Sequence, residues 1–232
     1  MVKNRKIEQK DKALSTRSLI LEKSLDMINK IGVVEFRIDN LASDLGLSPG
    51  NITYHFSRKE DICVILWSDF IRKLNVYNAT FSSMLDVKQA FLIIRAINKL
   101  IYDYRGVIMF RGGDLRVIHE DEDSEGGISF TLLSRQLFER ILRILRRNGY
   151  AVELTDELLK STLLNVESIL MRWWINKAVI LEDADSADTD IARLINRNSL
   201  LVLFAVYAVF TDKGMREFRT IAEIVNKGEM EA

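Results

Sequence analysis

One proline in 232 residues, Pro49, is the feature that most constrains what this chain can fold into. Eleven glycines are the other strong breakers, while Leu, Ile, Lys, Arg and Glu are abundant. Such a chain turns sharply in few places and otherwise runs in long segments of helical composition. The expected fold class is therefore all-α. With 48% hydrophobic residues, a sizeable core is available to one large or two smaller domains.

The breakers are not spread evenly. Gly46, Pro49 and Gly50 fall within five positions of "LGLSPGNITYHFSRKED", residues 45–61. Upstream, Leu19, Ile20, Met27, Ile28 and Ile31 recur at three- and four-residue steps, with Ser24 as a neutral member, which predicts an amphipathic helix over 16–31 stopped by Gly32. Ile38, Leu41, Ala42 and Leu45 predict a second short helix ending on Gly46, a residue that takes the left-handed C′ conformation without penalty. Ser48 before Pro49 is a start signal: serine caps orphan N–H groups, and proline at the first helical position has none to waste. The third helix then spans Pro49 to His55. Ser57 with Glu60 forms a capping-box pattern for a fourth helix running to about 80.

Three short helices joined by tight turns and followed by a longer one outline a helix-turn-helix unit. On a helix starting at Pro49, Ile52 and Phe56 lie four apart and face the core, which leaves Asn51, Thr53, Tyr54 and His55 outward. These are residue types that reach base edges and phosphates: asparagine pairs bidentately with adenine, and threonine touches the thymine methyl. Entry into a major groove needs small residues and free N–H groups near phosphate in the first turn, a demand that Ser48, Gly50 and Asn51 fit, around Pro49. Charge leans the same way. The net charge of the chain is zero, but residues 1–60 carry +3 and the remainder −3.

The stretch "SLILEKSLDMINKIG" followed by "FRIDNLASDLGLSPGNITYHFSRKEDI" resembles the N-terminal DNA-binding domain of the TetR family of transcriptional regulators, over roughly Thr16 to Phe70. The Leu-Ala pair, the glycine, the serine turn, Tyr-His-Phe and the Lys-Glu pair carry the resemblance. It implies that the helix from Pro49 to His55 reads an operator, that Tyr54 and His55 sit at the DNA backbone, and that Lys59 contacts phosphate. Arg37 departs from the pattern, standing where the family carries a capping threonine. Arginine cannot cap in that way and is assigned to phosphate instead. The rest of the chain resembles only the general plan of a helical domain for effector binding and dimerisation.

Further helices are expected over 87–110 with an interruption at Gly112-Gly113, over 128–148 with a stop at Asn148-Gly149, over 156–181, and from 190 through Phe210, with a short terminal helix at 216–226. "HEDEDSEGG" (119–127) and "EDADSADTD" (182–190) read as exposed loops. His119 with its acidic neighbours lacks metal-ligand spacing, so no metal or cofactor is assigned. Trp67, Phe91, Tyr102, Phe110, Phe138 and Trp173 are the aromatic candidates for lining an effector pocket, against a default of core packing. The run Leu200–Phe210 is too short to span a bilayer, which takes about 20 residues. It is instead apolar around most of its circumference, so with the preceding helix it predicts a dimer interface at Trp174, Leu200, Phe204, Val206 and Tyr207. Val206 is expected at the periphery of that interface. Cys63, the single cysteine, is expected to be buried, and the charged N-terminus has no signal-peptide character, which places the protein in the cytoplasm.

The organisation expected is an N-terminal arm and helix-turn-helix over 1–58, a connecting helix over 59–80, and a helical effector and dimerisation domain over 81–232. No catalytic constellation or phosphate-cradling glycine loop supports an enzyme. The function expected is a sequence-specific repressor, a homodimer on a palindromic double-stranded operator, relieved by a small-molecule effector of unspecified identity. The rival is a helical interaction or architectural protein without a specific operator.

Overall fold

The computed structural model describes residues 2–79, 85–110, 130–168 and 191–229, with side chains outside 2–15, 78, 109–110, 130–132 and 163–168. The described residues are helical apart from turns and one isolated β-bridge, and none of their helices is long and apolar enough to cross a membrane. They divide into two compact units. Among the described residues, the first comprises 2–71 and 103–110, and the second 72–79, 85–102, 130–168 and 191–229. The division between 71 and 72 falls inside the helix over 59–79, whose first half packs with the three helices before it.

In the first unit, α1 (Val2–Glu35) begins well upstream of the expected Thr16 and breaks at Gly32, whose φ of 75° and ψ of 161° lie outside the helical region. The buried stripe of α1 is narrower than the sequence pattern: Ile20, Ser24 and Ile28 are fully buried, while Leu19 and Ile31 are exposed. Ser24 tolerates this because its hydroxyl donates to the Ile20 carbonyl at 2.6 Å, one turn back. Helix α2 (Ile38–Leu45) closes on Gly46 in the left-handed conformation, with Gly46 N donating to Ser43 O and Leu47 N to Ala42 O. Helices α3 (Pro49–His55) and α4 (Lys59–Ala79) follow. The capping of α4 lies one residue later than expected. Arg58 N donates to the Asp61 carboxylate at 3.0 Å while Asp61 N donates to Arg58 O, so Asp61 takes the role assigned to Glu60.

The helix expected over 87–110 is two. Helix α5 (Val87–Asp103) belongs to the second unit as far as Tyr102, and α6 (Arg105–Phe110) packs on α1 in the first. No breaker residue sits at Tyr104. A distant side chain makes the corner: Asn29 Nδ2 donates to Asp103 O at 2.7 Å and its Oδ1 accepts from Gly106 N at 2.9 Å. Gly106 touches the α1 backbone so closely that a Cβ there would stand 2.3 Å from Ile28 O.

The second unit also contains α7 (Phe130–Arg147), α8 (Asp156–Ser168), α9 (Ile191–Ala205) and α10 (Asp212–Lys227). As expected, α7 stops at Asn148-Gly149, and Gly149 has φ 78°. Helix α9 ends five residues earlier than expected, because 206–210 turns into a 3-10 segment and then pairs with the α7–α8 connection. Val152 N donates to Val209 O, and Thr211 N to Tyr150 O. The expected short helix at 216–226 is a full one, started by Thr211, whose hydroxyl oxygen accepts from Gly214 N. Gly112-Gly113, 119–127, 182–190 and the second half of the helix expected over 156–181 lie outside the described residues.

Candidate nucleic-acid interface

Helix α3 is seven residues long, too short to persist alone, and two anchors fix it. Ile52 is fully buried and Phe56 nearly so, both within the core formed by Ile20, Ile28, Phe36, Leu41 and Leu66. The guanidinium of Arg17 lies over the Phe56 ring, 4.9 Å from its centroid. At the other end, Ser48 Oγ accepts from Asn51 N at 3.2 Å, with Pro49 at the first helical position. Anchoring one side leaves the opposite side free. Ser48, Pro49, Gly50, Asn51, Thr53 and Tyr54 are exposed, Tyr54 at 82%, and His55 is half-buried beside it in an edge-on contact of 5.2 Å. The Thr53 hydroxyl donates back to Gly50 O at 3.2 Å. At Gly50 the nearest atom to an added Cβ is Ser48 Oγ at 3.9 Å, so packing within the chain does not demand glycine there.

The two cations assigned to phosphate are placed differently. Arg37 precedes α2 without a side-chain cap, and its Nη1 donates to Val34 O at 2.5 Å and to Phe36 O at 3.2 Å. Lys59 Nζ donates to Val33 O at 3.2 Å. Both thereby satisfy carbonyls where α1 ends, the terminus at which helix polarity favours positive charge. Cys63 is buried as expected. Burial pushes its thiol pKa up to about 11, the Glu60 carboxylate adds to the rise, and Lys59 opposes it.

The aromatic residues assigned to an effector pocket are scattered. Trp67 packs in the first unit against Phe70, at 5.4 Å. Phe91 and Phe138 are buried in the second unit, and Tyr102 is half-buried there. The Phe110 side chain and Trp173 lie outside the described residues, as does Trp174. Two clefts formed by described residues of the second unit use none of these aromatics. One is floored by Leu142, Ala151, Leu159 and Val209, and the other carries Arg193, Arg197 and Lys227.

At the expected dimer face, Val206 is only 5% exposed and belongs to its own unit's core, whereas Phe204 is 60% exposed. Leu200 and Tyr207 are half-buried. Phe204 stacks on Tyr207 at 5.9 Å and approaches Phe218 of α10 at 6.2 Å. Leu201 of the same helix is 42% exposed. The early end of α9 explains the reversal, since the turn after Ala205 swings Val206 inward.

No protein-family model matches the chain, and no curated protein matches it. Solved structures do. A TetR-family transcriptional regulator from Marinobacter aquaeolei VT8 superposes with a TM-score of 0.73 at 20% identity, over 90% of this chain and 98% of that one. A gamma-butyrolactone receptor described as ArpA-like gives 0.62 at 13% identity, over 94% and 98%. A TetR-family regulator from Pectobacterium atrosepticum gives 0.51 at 13% identity, over 87% and 97%. The chain shares the fold of TetR-family regulators.

Proposed function

We propose that this chain is a sequence-specific transcriptional regulator, a repressor that binds a palindromic double-stranded operator as a homodimer and is released by a small molecule. The observation that carries the reading is α3. Its apolar side is locked into a core by Ile52 and Phe56, and its capped N-terminus and the side chains of Asn51, Thr53 and Tyr54 are exposed. A helix presented end-on with small residues in its first turn fits the major groove, where Asn51 and Thr53 read base edges and Tyr54 and His55 meet the backbone. The slack at Gly50 supports this, since the glycine is spent where an external backbone approaches.

One helix-turn-helix contacts few base pairs, so useful affinity calls for two copies on two half-sites. The exposed Leu201 and Phe204 supply an apolar surface for the second copy. Release by an effector is supported by the separate second unit and by a fold neighbour that is a gamma-butyrolactone receptor. Such a protein works in the cytoplasm, where the chromosome lies.

The test is selection of binding sites from random duplexes, followed by footprinting on the enriched sequence and on the DNA upstream of the gene. A palindromic site with half-sites about one helical turn apart, roughly 34–36 Å, is expected. Binding without sequence preference would overturn the reading in favour of an architectural role.

A further inference from the structure

The second unit buries amides in a place where a helical core ordinarily takes apolar side chains. Asn98 on α5 and Ser199 on α9 are fully buried, and Asn196 and Asn198 on α9 nearly so. They are joined across the two helices. Asn98 Nδ2 donates to Ser199 Oγ at 2.8 Å, the Ser199 hydroxyl donates to Ile195 O at 2.7 Å, and Asn198 Nδ2 donates to Asn98 Oδ1 at 3.2 Å. One turn earlier on α5, Arg95 Nε donates to Asn196 Oδ1 at 2.6 Å.

The direction of this relay fixes which way each amide points. The hydroxyl hydrogen of Ser199 is spent on Ile195, so toward Asn98 its oxygen accepts, and Asn98 must turn its NH2 group that way. Asn98 Oδ1 then faces Asn198, which must offer its own NH2. Reversing Asn198 would set two carbonyl oxygens against each other. The group left over is Asn198 Oδ1, sealed from solvent and without a hydrogen-bond partner.

A register lock between α5 and α9 accounts for Asn98 with Ser199 and for Arg95 with Asn196. It does not account for Asn198, whose acceptor is buried at a net cost that an apolar side chain would avoid. A buried acceptor of this kind calls for an explanation, whether strain, a bound water or a ligand.

We propose that Asn198 Oδ1 is the polar anchor of a ligand site in the second unit, accepting a hydrogen bond from the hydroxyl or N–H of an uncharged small molecule. Burial of an unpaired charge is costly, and a carboxylate brings no donor for the oxygen, so a neutral donor is the group that fits. Since the oxygen is sealed, the ligand enters only when the packing around it opens, which makes association slower than encounter. Taking this ligand as the effector rests on the regulator reading, whereas its binding does not require DNA.

Benzyl alcohol and anisole test the anchor, because they are isomers and only the alcohol carries a donor. Calorimetric titration of the full chain, without DNA, should show the alcohol bound at least tenfold more tightly than the ether. Asn198→Leu, close in volume, should fold and bind both isomers equally. Asn198→Ala, which leaves room rather than filling it, should do the same. A wild-type chain that binds the isomers equally, or binds neither, overturns the proposal. So does a variant that keeps the preference, since the oxygen would then serve only the helix register or a buried water. A chain that prefers the alcohol but selects no operator keeps the anchor and loses the regulator reading. Operator binding without the preference does the reverse.

Discussion

The two units place polarity in opposite ways. In the first, the buried polar residues among those described are Ser24, whose hydroxyl is closed on its own helix, and Arg105 of α6, and the polar side chains of α3 all point outward. In the second, amides lie inside between α5 and α9, while Leu201 and Phe204 lie outside. A core with few polar groups makes few hydrogen-bonding demands of its own and leaves the polar side chains of α3 for a partner. Buried polar groups and exposed aromatics cost stability unless something binds them, which suits a unit that meets a ligand and a second copy.

The sharpest way to break this comparison is to charge neighbouring positions of the second unit. Val206→Arg should fail to fold, because it buries an unpaired charge, a loss of about 3–5 kcal/mol. Phe204→Glu should fold normally and sediment as a monomer, with operator affinity reduced more than tenfold. Circular dichroism and sedimentation velocity read both. If Phe204→Glu unfolds and Val206→Arg does not, then the outward and inward sides of this stretch have been exchanged.

That pair also marks where sequence reasoning stopped. The caps at Ser48-Pro49, Gly46 and Asn148-Gly149 were legible because a cap is made by residues within a few positions of one another. The outward set on α3 was legible too, since Ile52 and Phe56 alone decide which side is buried. By contrast, the corner at Tyr104 is imposed by Asn29, more than 70 residues away, and the end of α9 by pairing with Ala151. Neither leaves a local trace. Lys59 and Arg37 were assigned by residue type, and what their side chains do depends on where α1 happens to end.

The dryness of the first unit's core has a smaller, pH-dependent signature. The Cys63 thiol is raised to about 11 in the fold against an unperturbed 9. Between these values the unfolded chain has released its proton and the folded one has not, so stability is intact below pH 9 and falls as pH rises toward 11. The loss is about 3 kcal/mol at most, at roughly 1.4 kcal/mol per unit. Cys63→Ala should flatten this limb in urea titrations at pH 8.5 and 10.5. An unchanged slope would mean that water reaches the sulfur.

On the outward side of the same unit, Asn51→Ala and Thr53→Ala should leave folding intact and change the preference between operator variants by about 1–3 kcal/mol each. Titrations on a matched and a singly mismatched duplex separate the roles. Equal losses on both duplexes would take that residue out of base reading and leave it as a backbone contact.

The smallest effect expected is at Lys59, and it decides whether the first unit keeps its cations for itself. With its Nζ on Val33 O, Lys59 satisfies one carbonyl at the end of α1, and Lys59→Ala should cost roughly 0.5–1.5 kcal/mol of stability. A lysine held this way releases no counterion on binding, so the dependence of operator affinity on salt should keep its slope. A lysine that leaves Val33 for a phosphate would give the contrary pattern, a slope lower by about 1 with uniform weakening across all sequences. Measuring denaturant stability and the salt slope on one variant therefore separates the two roles. The same pair of measurements on Arg37→Ala asks whether the other cation at this helix end follows Lys59.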